Sequence, residues 1–348
     1  MAQINKPNTH FNPVTYTGNG STQAVTGVGF QPDWTWIKCR NDAQEPRLVD
    51  SVRGTTKYLD ASLAIAELTD TNILTSFDTD GFTLGDDAIS NLNGNTHVAW
   101  NWKAGGTAVS NTDGSITSSV SANTTSGFSI VKYTGTGTNS DTVGHGLGTT
   151  PSMIIAKGLD AREWYVQHQA ISSGTLNLES TGAVNTSFPS GWINESPTSS
   201  VFSFTAGGGG TTNNVNNSGT DFIAYCFAEK AGFSRMGSYV GNSSNDGVFC
   251  YTGMKPSFLL IKNITASQSW WMWDNKRIGY NGGGNHRLRP NESSAEFVDA
   301  TSKVDLLSNG FKFRDGDNAY NYSGNTFIYL AIAESPLVGT NGVPATAR

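Results

Sequence analysis

The chain repeats one seven-residue stretch three times, as Pro32-Asp-Trp-Thr-Trp-Ile-Lys38, Pro151-Ser-Met-Ile-Ile-Ala-Lys157 and Pro256-Ser-Phe-Leu-Leu-Ile-Lys262. Each copy opens on a proline, continues as an apolar run and ends on a lysine. Proline cannot donate to a strand ladder and is tolerated as the first residue of a strand. β-Branched and aromatic residues favour strands. The stretch therefore predicts one buried strand that occurs three times.

Three further landmarks recur in the same order around this stretch. A tyrosine turn precedes it, as Tyr16-Thr-Gly-Asn-Gly20, Tyr133-Thr-Gly-Thr-Gly137 and Tyr239-Val-Gly-Asn242. A phenylalanine strand follows it, as Asp80-Gly-Phe-Thr-Leu84, Val201-Phe-Ser-Phe204 and Ser308-Asn-Gly-Phe-Lys-Phe313. A closing apolar strand begins after Gly94, Gly219 and Gly324. Four landmarks in one order indicate an internal repeat of roughly 105 to 120 residues.

The blocks alternate apolar and polar residues and are separated by Gly, Asn and Ser clusters, which is the pattern of antiparallel strands and turns. We predict an all-β protein of three homologous antiparallel β-sandwich-like modules, with Ile37, Ile155 and Leu260 at matching sheet positions. The expected divisions are an N-terminal arm (1–14), module 1 (15–106), a linker or long loop (107–126), module 2 (127–231), module 3 (232–336) and a C-terminal tail (337–348). The sequence does not decide whether the three modules pack around a pseudo-three-fold axis or follow one another as beads in a row.

Composition excludes several classes of protein. Only 14% of the residues are charged and the net charge is -6, so neither a coiled coil nor a nucleic-acid binder is expected. The apolar runs are too short for a membrane span, and the three cysteines lack the spacing of a disulfide framework or zinc site. Without a leader sequence, they are expected to be free thiols in a reducing cytoplasm.

Several segments of the first module resemble a family of bacteriophage virion proteins described as tail-fibre-like. The segments are Ile4-Asn-Lys-Pro7, Gly27-Val-Gly-Phe-Gln-Pro-Asp-Trp34 and Val98-Ala-Trp-Asn-Trp-Lys-Ala-Gly-Gly106. The resemblance implies a non-enzymatic surface fibre or adhesin of the tail that contacts the host envelope, found in the virion and assembled in the host cytoplasm. Its expected partners are other virion proteins and a host surface glycan or envelope protein, in an oligomer. The alternatives are a capsid or tail decoration protein without a receptor role and, less favoured, a carbohydrate-active enzyme.

The densest aromatic cluster is Trp270-Trp-Met-Trp273. Strand alternation places Trp271 and Trp273 on one face and Trp270 on the other. One hypothesis makes the cluster a stacking platform for a sugar ring, with contacts added by the loop that follows. The candidate loop residues are Tyr280, His286, Arg287 and Arg289. The other hypothesis places the tryptophans in the core or in an interface between modules.

The remaining candidates concern docking and edge protection. Ile4 and Phe11 are isolated apolar residues in a polar arm and are predicted to dock on another virion protein. Lys38, Lys157 and Lys262 are predicted to be solvated residues that discourage edge pairing. No nucleophile motif or twelve-residue calcium loop is present, so neither catalytic residues nor a metal or cofactor is expected.

Overall fold

The computed structural model describes residues 3–186, 197–204, 215–277, 284–301, 303–340 and 342–346. Strands make up nearly all of the regular structure, and one short 3-10 helix lies at Pro7–Thr9. All strand pairs within the sheets are antiparallel. The predicted all-β class is therefore confirmed.

Module 1 contains the first nine strands. They are β1 (Phe11–Thr17), β2 (Gln23–Thr26), β3 (Trp34–Cys39), β4 (Arg47–Asp50), β5 (Lys57–Asp60), β6 (Leu68–Thr69), β7 (Ser76–Asp78), β8 (Gly81–Leu84) and β9 (Thr96–Trp102). The large sheet has the order β1-β9-β3-β4-β5-β6, and the small sheet has the order β2-β8-β7.

Among its described residues, module 2 contains the next eight strands. They are β10 (Val109–Asn111), β11 (Ser118–Asn123), β12 (Phe128–Thr134), β13 (Thr142–Gly144), β14 (Met153–Gly158), β15 (Trp164–His168), β16 (Val201–Ser203) and β17 (Asp221–Phe227). The large sheet has the order β10-β11-β12-β17-β14-β15, and the small sheet pairs β13 with β16.

In the described part of module 3 lie the last nine strands. They are β18 (Ser234–Val240), β19 (Phe249–Tyr251), β20 (Met254–Asn263), β21 (Trp271–Asp274), β22 (His286–Arg287), β23 (Phe297–Val298), β24 (Val304–Leu307), β25 (Gly310–Phe313) and β26 (Thr326–Pro336). The large sheet has the order β18-β26-β20-β21, the small sheet has the order β19-β25-β24, and β22 pairs with β23.

The same four-strand frame occurs in each large sheet: β1-β9-β3-β4, β12-β17-β14-β15 and β18-β26-β20-β21. The pairing register also agrees, because Trp36 lies opposite Trp100, Ile155 opposite Tyr225 and Leu260 opposite Leu330. Matching positions therefore hold Trp36, Ile155 and Leu260. The expectation for Ile37 was wrong by one residue, and Ile37 faces the opposite side of its sheet.

One face of each large sheet packs on the small sheet of its own module. In module 1, for example, Ile37 and Ala99 pack with Phe82 of β8. Separate clusters of this kind fill modules 2 and 3. Each module is thus a sandwich of two sheets.

The other faces of the three large sheets meet in one common core. Its central side chains include Trp100 from module 1, Tyr225 from module 2 and Leu330 from module 3. The middle strands are therefore buried on both faces, which explains why the Pro-to-Lys stretches read as continuous apolar runs.

Three backbone hydrogen bonds close the modules into a ring. The N–H of Glu67 donates to Leu159 O at 2.9 Å, that of Val184 to Ile264 O at 3.2 Å, and that of Glu296 to Arg40 O at 2.7 Å. Each acceptor lies two residues after the lysine of the repeated stretch. Each module donates one of these bonds and accepts another, so the modules form a closed ring with approximate three-fold repetition.

The tyrosine turn performs the same task in each module. The hydroxyl groups of Tyr16, Tyr133 and Tyr239 donate to the backbone carbonyls of Ser90, Val215 and Tyr320 at 2.7, 2.7 and 2.6 Å. The glycine two residues later allows a close crossing of the backbone. A Cβ at Gly18, Gly135 or Gly241 would lie 2.3, 2.4 or 2.3 Å from a carbonyl oxygen, which is closer than van der Waals contact allows.

The structure corrects the expected ends of the modules. Strand β1 begins at Phe11, before the expected boundary at residue 15, and the expected linker contains β10 and β11 of the large sheet of module 2. Ile4 and Phe11 are 7% and 1% exposed and belong to the common core. They are therefore not available to dock on another protein. The N–H of Ile4 donates to Ala231 O, so the arm packs against its own chain.

Two of the three interfaces between modules contain a buried ionic cluster. At the interface of modules 1 and 2, Arg53 binds Asp50 at 2.6 Å and Glu67 at 3.2 Å, and the Tyr225 hydroxyl donates to Asp50 at 2.8 Å. At the matching positions between modules 3 and 1, Arg277 binds Asp274 at 2.7 Å and Glu296 at 2.9 Å. The Trp100 indole N–H donates to Asp274 at 2.9 Å.

The third interface has uncharged residues at these positions. The matching residues of modules 2 and 3 are His168, Ile171, Val184 and Leu330. Burial lowers the pKa of His168 to about 4, so this histidine is neutral. The equivalent site is therefore occupied by charged groups at two interfaces and by neutral groups at the third. This agrees with the observation that the desolvation cost of a buried ion pair nearly cancels its electrostatic attraction.

The cluster around Arg53 gives a direct test of this equivalence. Arg53→Ile leaves two buried carboxylates without their guanidinium group and should lower the free energy of unfolding by about 3–5 kcal/mol. Adding Asp50→His, Glu67→Val and Tyr225→Leu rebuilds the module 2 set and should recover most of the loss. Urea unfolding followed by circular dichroism measures both variants. A fourfold variant no more stable than Arg53→Ile would contradict the equivalence.

Candidate functional site

The tryptophan cluster is buried, so it offers no exposed platform for a sugar ring. Trp270, Trp271 and Trp273 are 1%, 2% and 2% exposed. Trp270 lies in the common core, and its indole N–H donates to Asn177 O of module 2 at 3.0 Å. Trp271 and Trp273 lie in the core of the module 3 sandwich. The core-or-interface hypothesis describes all three residues.

The candidate loop residues that the structure describes also make contacts inside the protein. The guanidinium carbons of Arg287 and Arg289 lie 4.1 and 4.4 Å from the centre of the Trp271 ring. His286 Nδ1 lies 2.6 Å from Glu296 at the interface with module 1. Tyr280 lies outside the described residues. The binding role predicted for Trp271, Arg287 and Arg289 conflicts with this packing, because the two arginines occupy the ring face that a ligand would need.

Removing the indole rings should therefore destabilise the fold. We expect Trp271→Ala and Trp273→Ala each to lower the free energy of unfolding by about 3–5 kcal/mol, as for other buried tryptophans. Tyr251→Ala is a matched control, because Tyr251 is 60% exposed and its loss should change stability by less than about 0.5 kcal/mol. Chemical denaturation measures all three. Wild-type stability in Trp271→Ala would show that the ring is not part of the core.

The repeated lysines are buried, contrary to the prediction of solvated edge residues. Lys38, Lys157 and Lys262 are 2%, 0% and 0% exposed. Each ammonium group donates to two backbone carbonyls: Lys38 to Gln44 and Ser293, Lys157 to Gly158 and Asp160, and Lys262 to Gln268 and Thr181. Ser293 and Thr181 belong to neighbouring modules, so two of the lysines also join modules.

Burial lowers the pKa of Lys262 to about 7. In the unfolded chain the pKa of a lysine is about 10.4. Between these values the unfolded chain holds a proton that the folded chain has released, so wild-type stability rises with pH. Relative to Lys262→Met, the wild type should gain up to about 1.4 kcal/mol for each pH unit from 7 towards 10. Denaturation at a series of pH values measures this difference, and a difference independent of pH would contradict the assignment.

The three modules differ in what lies along the outer edge of the first strand of the four-strand frame, which is β1, β12 or β18. In module 1, Pro13 of β1 has no N–H to offer, and Asn12 Nδ2 donates to Gly27 O at 3.2 Å and Val28 O at 3.0 Å. Proline is a common protection of a sheet edge. Asn12 and Pro13 therefore obstruct the addition of a further strand at the beginning of β1.

In module 2 a segment of the chain itself covers the edge. Strand β11 pairs with β12, and Ile116 bridges to Val143 of the small sheet, with its N–H donating to Thr142 O at 3.0 Å. Ile116 is 6% exposed and belongs to the module 2 core. Residues 116–123 thus fill the gap between the two sheets.

In module 3 the corresponding edge is open over half its length. The N–H of Met236 donates to Glu229 Oε1 at 2.9 Å, and Met236 O accepts from Gln169 Nε2. Beyond Met236, no strand among the described residues pairs with the outer side of β18. Within the described part of the chain, the edge from Gly237 to Val240 has no cover.

A cavity of about 470 Å³ lies where module 2 holds Ile116 and β11. We call it the module 3 groove, and it is lined by residues 235–239, 249–251 and 329, with Gln169 and Ala170 at one end. Phe249 and Tyr251 are 42% and 60% exposed. The neighbouring Val240 is 57% exposed. Aromatic and aliphatic side chains are thus presented to solvent beside an open strand edge.

In the groove, a cross-strand pair has its small residue on β18 and its large residue on β26, the reverse of the arrangement in the other modules. Gly237 lies opposite Tyr329, whereas the matching pairs are Val14 with Ala99 and Val131 with Ala224. A Cβ on Gly237 would lie 2.5 Å from the Tyr329 hydroxyl oxygen. The glycine therefore makes room for the tyrosine ring.

The exposed aromatic residues are also specific to module 3. Phe249 stands where the other modules have Ala24 and Thr142, and Tyr251 stands where they have Thr26 and Gly144. The sequence contained this signal as a departure of one repeat from its sisters. Strands β2, β13 and β19 are too short to be recognised as equivalent from the sequence alone.

The side chains at the base of the groove are neutral. Burial raises the pKa of the Cys250 thiol to about 12, so the sulfur at its base is a protonated thiol and a poor nucleophile. Burial also raises the pKa of Tyr329 to about 12, which keeps its hydroxyl group neutral. Together with the backbone groups of β18, these side chains offer apolar contact and hydrogen bonds.

Within the described residues, no three His, Cys, Asp or Glu side chains are grouped as metal ligands. None of the helices described is long and apolar enough to cross a membrane.

The fold and the groove define a class of protein: a ring of three β-sandwiches with one specialised open edge. The chain belongs to the family described as a domain of unknown function (DUF7483), whose model matches residues 6–336. The matched region runs from the arm to the end of β26 and so includes all three modules as one family unit. A comparison with curated proteins finds no match.

Proposed function

We propose that the chain is a non-enzymatic bacteriophage virion protein, a surface fibre or adhesin of the tail, and that it contacts the host envelope through the module 3 groove. The observation that carries the proposal is the groove itself. The three modules share one frame, and among the described residues only module 3 combines an open edge beyond Met236 with two exposed aromatic residues, Phe249 and Tyr251. A repeat that keeps its frame while changing one surface is where a binding function is usually placed.

The virion setting rests on the resemblance to tail-fibre-like proteins in Ile4-Asn-Lys-Pro7, residues 27–34 and residues 98–106. Assembly in the host cytoplasm and oligomerisation in the particle follow from the same resemblance. Other virion proteins and a host surface glycan or envelope protein are the proposed partners.

The second candidate is a decoration protein of the capsid or tail that never touches a receptor. It would use the groove to hold the chain on the particle. The two candidates differ in what the loss of the groove does to an intact particle.

The test uses particles that carry the double variant Phe249→Ala and Tyr251→Ala. Exposed aromatic residues of a contact surface are typical hot spots, so adsorption to host cells should fall at least about tenfold, or about 1.4 kcal/mol. The amount of the protein in each particle should stay unchanged. Val109→Ala is the control, because Val109 is 65% exposed on β10 of module 2, away from the groove.

Normal adsorption by particles carrying the double variant would contradict the adhesin role of the groove. Loss of the protein from the particle would favour the decoration role instead. Gold-labelled antibody on wild-type particles should mark the tail, and uniform labelling of the capsid would contradict the tail position.

A further inference from the structure

We propose that the module 3 groove binds an extended segment of a partner polypeptide, which adds a short strand to β18 and inserts one aliphatic side chain between the two sheets. This inference rests on the proposed function, in which the groove is the contact surface, and it names the class of partner. Strand addition to an exposed sheet edge is a common mode of peptide recognition.

Module 2 shows how such a segment fits this frame. Ile116 lies beside Val143, and Ser119 lies opposite Lys132 of β12. The matching residues of module 3 are Cys250 for Val143 and Ser238 for Lys132. The hydroxyl of Ser118 also donates to Gly144 O at 2.9 Å, a carbonyl whose counterpart belongs to Tyr251. A segment of this kind would cross the module 3 groove from β19 to β18.

The backbone of β18 offers the groups that a strand needs. The N–H groups of Ser234 and Met236 point away from β26, because they donate to Lys230 O and Glu229 Oε1. Backbone groups alternate sides along an antiparallel strand. Ser238 and Val240 therefore point their N–H and C=O groups to the same outer side, beyond the contacts made by Glu229 and Gln169.

The lining of the groove limits the chemistry of the segment. Between the sheets, Tyr239, Cys250 and Tyr329 are 8%, 6% and 5% exposed and form an apolar floor. An unpaired charge placed there would be desolvated without compensation, whereas an aliphatic side chain would replace what Ile116 provides in module 2. At the Met236 end, the side chains of Glu229 and Gln169 leave room only for a short strand. The segment is thus uncharged, with small polar residues around one Ile, Val or Leu.

A polypeptide fits these features better than a sugar does. A strand supplies alternating N–H and C=O groups at the spacing of Ser238 and Val240, and its aliphatic side chain fills the gap. The residues of module 2 that make these contacts, Ile116-Thr-Ser-Ser-Val120, belong to their own module. The proposed occupant is therefore an extended segment of a host envelope protein, the contact that the proposed function assigns to the groove.

The test uses the full chain and a labelled peptide, Gly114–Val120 of this sequence, followed by fluorescence anisotropy. Saturable binding is expected. In the variant Ser238→Pro the outward N–H is lost, as it is at Pro13 in module 1, and the affinity should fall at least tenfold. Ser238→Ala is the matched control, because it keeps the N–H and should bind as the wild type does. Melting curves confirm that both variants fold.

Two altered peptides test the proposal even if Ser238→Pro fails to fold. Peptides carrying Ile116→Asp or Ser119→Pro should bind at least tenfold more weakly to the wild-type chain. Absence of peptide binding, or equal binding of all three peptides, would overturn the inference. Competition of the peptide by host oligosaccharides, with no strand-dependent loss, would also overturn it while leaving the adhesin role intact. Host-cell adsorption tests that role independently of the peptide.

Discussion

The structure depends on the burial of the three large sheets on both faces. One face of each sheet packs on a small sheet of its own module, and the other contributes to a core shared by all three modules. Trp100, Tyr225 and Leu330 meet there from three different modules. A module taken alone would expose this apolar face to water, which is unfavourable in proportion to its area. The three modules are therefore expected to be stable only as a closed ring.

The polar groups inside the ring follow from the same burial. A buried polar group is costly unless it has hydrogen-bond partners. Lys38 and Lys262 meet this demand by donating to carbonyls of a neighbouring module as well as their own. Two interfaces also bury an Arg with two carboxylates, whereas the third has Ile171 and Val184 at those positions. Each interface thus requires side chains that fill this site and polar groups that have hydrogen-bond partners, but it does not require a particular charge.

The sequence could predict the all-β class and the order of the landmarks, because period-two alternation and turn residues are local. It could not predict that the middle strands are buried on both faces, because the alternation pattern assumes that one face is exposed to solvent. For this reason the sequence predicts solvated edge positions for the lysines, although they lie in the interior. For the same reason it could not decide that Trp271 and Trp273 are core residues. The Ser, Thr and Gly content of residues 107–126 predicts a linker and hides Ile116 and Val120, whose environment comes from strands distant in sequence. The module 3 groove was harder still to predict, since it depends on a covering segment that is present in module 2 and absent from the described residues of module 3.

The central claim is that the three modules share one core and open together. Native-state hydrogen exchange with increasing urea tests it directly, because it reports the free energy of opening of each amide and the surface exposed by that opening. Amides of β9, β17 and β26 should exchange with one common free energy and one common urea dependence, equal to those of global unfolding. Exchange of one module's middle strand through an opening of lower free energy and smaller urea dependence would show that the module holds its own core, and would contradict the account.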